Sequence, residues 1–163
     1  AARHGILIKG GVYLEEGHKL AWLAFDKTGT ITHGKPVLTD TVLLDQPVGL
    51  DAVHVAISLA VRSDHPVSHA IATAGQQNGT ILLDVADFTA IPGRGVRGTV
   101  GGVHYQLGNH RLIHELGVCT PPLEARLGEL EEQGKTVILL TDGERVLVLF
   151  AVADTVKPSS RAA

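Results

Sequence analysis

Two dipeptides, Gly101-Gly102 and Asp142-Gly143, most narrow what this chain can fold into. Each separates two apolar runs of strand length. Such pairs suit two-residue hairpin turns, whose central positions need positive φ. Strands are expected over 95–100 and 102–107 around the first, and over Lys135–Leu140 and Glu144–Ala151 around the second. Val37–Leu44 and 81–91 also read as strands, the latter interrupted by Asp84 and Asp87, with a turn at Asp45-Gln46-Pro47. Helical spacing fills the gaps. Leu50–Val61 places Val53, Ile57, Ala60 and Val61 on one stripe, with Asp51 in the first turn. A second helix starts at Pro66, buries Val67, Ala70, Ile71 and Ala74, and ends at Asn78-Gly79. Asn109–Leu116 and a Thr120-capped helix to Gln133 form another pair, stopped by Gly117 and Gly134. Hairpins impose antiparallel pairing, so the expected class is α+β, an antiparallel sheet of about six strands flanked by two helical pairs.

Composition excludes several roles. The length of 163 residues suits one domain, or one domain with pieces of another. A formal charge of -3 gives no basic face for nucleic acid. The longest apolar run, Val146–Ala153, falls far below the roughly 18 residues of a spanning helix. One cysteine, Cys119, excludes an internal disulfide or a thiolate cluster and fits a reducing cytosol. No signal peptide is read. The chain has no Met and stops in mid-pattern at Ser160-Arg161-Ala162-Ala163, so both ends are expected to be cuts, and a monomer is expected.

The opening of the chain holds the candidate nucleophile. Val12–Glu16 reads as a short helix ended by Gly17. Ala21–Phe25 then reads as a short buried strand that delivers Asp26 to its carboxyl end, where sites form in open α/β sheets. Lys27-Thr28-Gly29-Thr30 follows, with free N–H groups and hydroxyls suited to anions and magnesium; a carboxylate there can act as a nucleophile and form an aspartyl-phosphate. Gly34-Lys35-Pro36 reads as a linker. Farther on, Gly93-Arg94-Gly95-Val96-Arg97-Gly98 matches G-x-G-x-x-G, but no helix opens after it, as a dinucleotide site requires. His65 and His69, and His110 and His114, are spaced to share helix faces, yet no third ligand is suggested, so no transition-metal centre is expected.

Asp26-Lys27-Thr28-Gly29-Thr30 resembles the phosphorylation signature of P-type ATPases. Gly5-Ile6-Leu7-Ile8-Lys9-Gly10-Gly11 resembles the heavy-metal branch's join to the phosphorylation domain, and Ser63-Asp64-His65-Pro66 its Ser-Glu-His-Pro element. Gly93, Gly95 and Gly98 resemble its ATP-cleft glycines, Gly108-Asn109 its nucleotide-facing Gly-Asn, and Asp154-Thr155-Val156-Lys157-Pro158 its re-entry into the phosphorylation domain. The match covers almost the whole chain, in order. It departs at Ala60, where many copper-transporting members carry a glutamate that helps recognise adenine, and at Asp64, which replaces a glutamate. ATP affinity is therefore expected to be weak.

The resemblance implies a division into 1–35 (linker and start of the phosphorylation domain), 36–150 (nucleotide-binding domain) and 151–163 (re-entry). It implies ATP held by Ser63, Asp64, His65, Gly93, Gly95, Gly98 and Asn109, with the adenine on His65, and Asp26 attacking the γ-phosphate. Mg²⁺ would be held by Asp26 and the Thr28 carbonyl, together with a later aspartate that the sequence lacks; nucleotide binding without turnover is the expectation. The implied partners are the other phosphorylation, actuator and transmembrane parts of a pump, at the cytosolic face of the cell membrane. The flavour of the motifs is closer to zinc, cadmium and lead export than to copper. The alternatives are the same domain of a copper pump, or a non-catalytic nucleotide-binding or interaction module. A soluble phosphatase of the aspartate-nucleophile class would carry Asp-x-Asp, and Thr28 stands in place of the second aspartate.

Overall fold

Both hairpins form, and with them one antiparallel sheet. The computed structural model describes residues 3, 5–22, 24–45, 49–157 and 159–160, without the side chains of Lys27 and Thr28. Its strands are β1 (Thr32–Leu43), β2 (Ala86–Ile91), β3 (Gly95–Val100), β4 (Val103–Gly108), β5 (Thr136–Thr141) and β6 (Val146–Val156). Their order in the sheet is β1-β6-β5-β4-β3-β2, all antiparallel. The helices are α1 (Gly11–Glu15), α2 (Ala52–Ala60), α3 (Pro66–Gln77), α4 (His110–Glu115) and α5 (Pro121–Glu132).

The helical pairs cover opposite faces of the sheet. Ala56, Leu59 and Ile71 of α2 and α3 share a core with Val96, Leu107, Leu140 and Phe150. Ile113, Leu123 and Leu127 of α4 and α5 pack on Val137, Leu139, Leu149 and Ala151. Period-two alternation along β5 and β6 sends successive side chains to the two cores. At Leu147 the alternation slips, where a register shift sets Val146 opposite Thr141 but Val148 opposite Leu140. Buried on both faces, β6 carries only apolar residues from Val146 to Val152. It continues unbroken through position 151.

Local chemistry sets the boundaries. Asp51 caps α2, its Oδ1 accepting from the N–H groups of Val53 (2.8 Å) and His54 (3.2 Å). Gly101 and Gly102 take φ of 59° and 82°, the pair of positive angles that a type I′ turn needs. The second hairpin is wider than two residues: Asp142 Oδ1 accepts from the N–H groups of Glu144 and Arg145, and β6 starts only at Val146. Strand β2 starts at Ala86 rather than 81, and a register shift between Ala86 and Thr89 spans Asp87, whose φ is 51°.

Four expectations need correction. Ala21–Phe25 is not a buried strand: Trp22 is 93% and Phe25 63% exposed, and no described strand lies beside them to take their backbone groups. Leu23 lies outside the described residues, as do Gln46 and Pro47 of the turn expected at Asp45-Gln46-Pro47. Gly34-Lys35-Pro36 is not a linker, because β1 runs through it. Pro36 pairs with Asp154 on an edge strand, where a missing N–H is tolerated, and a register shift absorbs Gly34 at φ 69°. The α2 stripe is also broader than read. Val55, Ala56 and Leu59 are fully buried and Val61 is exposed, since α3, the sheet and the segment before β2 surround the helix. Finally, the helix expected to end at Gly17 runs on as a 3₁₀ turn over Glu16–Lys19.

Candidate functional site

The expected site residues fall into three local groups. The first is the loop after Asp26. Asp26 itself is exposed. Lys27–Ile31 forms one wide π-type turn, with Gly29 at φ 78°. Gly29 N–H donates to Thr32 Oγ1 (3.3 Å), and Thr32 donates in turn to Asp154 Oδ2. From the far end of the chain, Lys157 N–H donates to the Ile31 carbonyl (2.9 Å) and Lys157 Nζ to the Gly29 carbonyl (2.5 Å). Asp154 Oδ1 is buried with no hydrogen-bond partner among the described residues. Strand β1 thus enters beside the point where β6 leaves, Thr32 facing Val156. For Mg²⁺ the chain offers the Asp26 carboxylate and the Thr28 carbonyl. That donor set fits an ion that keeps its waters and takes its remaining ligands from phosphates, rather than one caged by protein.

The second group surrounds Asn109. This residue caps α4 by accepting from Leu112 N–H (3.1 Å) and donates from Nδ2 to the Gly93 carbonyl (3.1 Å). Its own N–H reaches the Arg94 carbonyl (2.8 Å). Gly93, Gly95 and Asn109 are therefore brought together, and the asparagine side chain holds the loop. Gly95 sits at φ 152°, where an added Cβ would meet Leu107 O at 2.2 Å and Gly108 Cα at 2.5 Å. Gly98 belongs elsewhere: a Cβ there would meet Val85 and Leu59 side chains, so its bareness serves the packing of α2 on the sheet. Arg94 is bound to Glu115, Nε to Oε2 at 2.6 Å, and that contact, with Arg111, holds the Glu115 carboxyl below its usual range.

The third group opens α3. Ser63 Oγ accepts from His65 N–H (3.3 Å), and His65 Nδ1 accepts from Val67 N–H (3.3 Å) as the helix cap. A histidine whose Nδ1 accepts carries its proton on Nε2. The exposed ring thus presents a flat face and a donor edge. Asp64 lines a groove of about 550 Å³ between β1 and α3, with Lys35, Pro36 and His69.

A fourth cluster was not expected. His110, the first residue of α4, faces Glu124 of α5 through Nε2 (3.0 Å) and Glu131 through Nδ1 (3.3 Å). Cys119 donates from Sγ to Glu124 Oε2 (2.9 Å). Burial and then Glu124 push the Cys119 thiol up to about 12. Burial disfavours the His110 imidazolium, but the two carboxylates outweigh it and raise its pKa. The i,i+4 spacing of His110 and His114 was a partial sign of this cluster. Its other members come from the next loop and helix, which no short spacing connects.

The sequence matches the haloacid dehalogenase-like hydrolases over residues 20–163. It is 42% identical over 166 residues to a probable cadmium-transporting ATPase of Staphylococcus aureus (strain MRSA252), covering 99% of this chain and 23% of that protein. It is 39% identical over 162 residues to a probable copper-importing P-type ATPase A of Enterococcus hirae, covering 99% and 22%. Among solved structures, a zinc-transporting PIB-type ATPase in an E2.Pi state superposes with a TM-score of 0.77 at 30% identity, covering 99% of this chain and 26% of that one. The chain thus spans about a quarter of the length of these relatives.

Proposed function

This chain belongs to the haloacid dehalogenase-like hydrolase family, and we propose that it is the ATP-binding portion of a P-type pump exporting Zn²⁺, Cd²⁺ or Pb²⁺. On this reading residues 36–150 are a nucleotide-binding domain inserted between 1–35 and 151–163 of a phosphorylation domain. The observation that carries the nucleotide assignment is His65. The cap fixes its ring through Nδ1 and leaves an exposed aromatic face with a donor on Nε2. Such a face stacks on a base while its edge still donates a hydrogen bond. Ser63 steadies the turn, and Asp64 flanks it. Gly93, with open space where a Cβ would stand, lets a nucleotide approach the backbone, and Gly95 sets that loop by letting β3 press on β4. Asn109 acts by holding that loop, because its cap and its bond to Gly93 occupy both ends of its amide. Gly98 supports the same strand from beneath α2.

The chemical step belongs to Asp26. Its carboxylate attacks the γ-phosphorus in line, a bond to ADP breaks, and an aspartyl-phosphate results. Mg²⁺ held by Asp26, the Thr28 carbonyl and the phosphates would supply charge neutralisation. The rest of the pump and the membrane enter as partners through parts outside this sequence; no helix among the described residues is long and apolar enough to cross a membrane. The export of Zn²⁺, Cd²⁺ or Pb²⁺ rests on motif flavour and on the cadmium-transporting relative. The copper-named relative supports a copper cargo equally.

Calorimetric titration of this chain with ATP tests the assignment. Binding is expected, and His65→Ala should weaken it about tenfold, the effect of losing one base-stacking contact. Equal affinity in the two proteins would remove His65 from the site.

A further inference from the structure

We propose that His110, Cys119 and Glu124 form a binding site for a borderline divalent cation, Zn²⁺ or Cd²⁺, at the junction of α4 and α5. One imidazole nitrogen, one sulfur and one carboxylate oxygen lie within 4.8 Å of one another there. This N, S, O set suits Zn²⁺ and Cd²⁺, whereas Mg²⁺ and Ca²⁺ take oxygen ligands.

The surroundings are those of a metal-binding histidine. Glu131 stands behind the ring, on Nδ1, while Nε2 meets Glu124 Oε2, the same oxygen that accepts from the thiol. A carboxylate on the far nitrogen is what orients an imidazole toward a metal and raises its basicity. In front lies an open cavity of about 500 Å³, lined by His110, Arg111, His114, Glu115 and Glu124. It offers an entry path and leaves the fourth position of a tetrahedral site to water. On binding, the thiol proton and any proton on Nε2 leave to solvent, and the cation takes their place between the same atoms. The present contacts of 2.9 and 3.0 Å must open to tetrahedral edges of about 3.5 Å. Glu124, with a side chain 52% exposed, is free to make that move. The bound ion would fasten α4 to α5 one residue beyond Asn109. The site is independent of the nucleotide assignment.

Cys119 is the one cysteine in the sequence, which makes the test specific. Cd²⁺ is titrated into this chain, with the ultraviolet cadmium–thiolate charge-transfer band and equilibrium dialysis as readouts. One Cd²⁺ per chain with the band is expected. Cys119→Ser should abolish the band, and His110→Ala and Glu124→Gln should each weaken binding about tenfold or more. His104→Ala, outside the cluster, should change neither readout. Circular dichroism identifies which variants are folded, and either His110→Ala or Glu124→Gln suffices. No band in the parent chain would overturn the site. So would parent-like affinity in a folded His110 or Glu124 variant, which indicates a lone thiol, or half a Cd²⁺ per chain, which indicates a bridge between two copies.

Discussion

Gly93 and Gly95 are two residues apart in one glycine-rich stretch, yet they answer to different constraints. Gly93, at φ 67°, has nothing within 4 Å of where a Cβ would stand. Alanine there bears only the cost of left-handed backbone, about 1 kcal/mol. Gly95 combines φ 152° with an approach to the β4 backbone that cannot relax by rotating a side chain. Gly95→Ala is expected to destabilise the chain by about 3 kcal/mol or more. Denaturant unfolding of the two variants measures the difference, and equal losses would show that backbone angle alone sets the requirement. The G-x-G-x-x-G pattern was visible in the sequence. Its division into an open glycine, a glycine pressed on backbone and a packing glycine at Gly98 was not, because each depends on what the fold places opposite.

Among elements, β1 is the sheet's edge, and Asp40 ties it to Lys135 at the entrance to β5, with Nζ 2.7 Å from Oδ2. The Lys135 contact first, then the Thr39 hydroxyl, holds the Asp40 carboxyl below its usual range. A depressed folded-state pKa means that this stabilisation is complete above the unfolded value of about 3.9 and fades as pH falls through the folded value. The pair is partly solvated, so it is worth about 1 kcal/mol or less. Asp40→Asn should therefore unfold more easily than the parent at neutral pH, and the gap should close below about pH 4. A gap that persists into stronger acid would assign the loss to packing. Elements fixed by near neighbours were legible in the sequence: the Gly101-Gly102 turn and the proline start of α3 each need only a few adjacent residues. Ala21–Phe25 was misread because a strand exists only beside another strand. Gly34-Lys35-Pro36 was misread because its punctuation is cancelled by the long pairing of β1 with β6. The His110 cluster escaped for the same reason, since α4 and α5 meet through packing and not through spacing.

At the scale of the whole molecule, the fold collects its order behind β1, and Asp26 lies outside it. Two core clusters hold the sheet and the four helices α2 to α5, while Leu7, Tyr13, Trp22 and Phe25 are exposed. Catalysis by a carboxylate nucleophile needs the reacting atoms held in near-attack geometry, and nothing described around Asp26 fixes its side chain. This chain incubated with magnesium and ATP should accordingly form no aspartyl-phosphate and release no phosphate, and Asp26→Asn should be indistinguishable from it. Acid-stable radiolabel on the parent but not on the variant would contradict this.

The neighbouring entry and exit of the ordered part have a mechanical consequence. Ile31 and Lys157 close one end of the β1–β6 ladder, and Leu43 opposite Val148 lies toward the other. A force that draws Ile31 and Lys157 apart acts across the strands, so it loads the first rung alone and then each rung in turn. Peeling of this kind yields at lower tension than a pull along the strands, which loads all the rungs together. The β1–β6 ladder is therefore weak to forces that separate the two chain ends and strong to forces that slide β1 along β6.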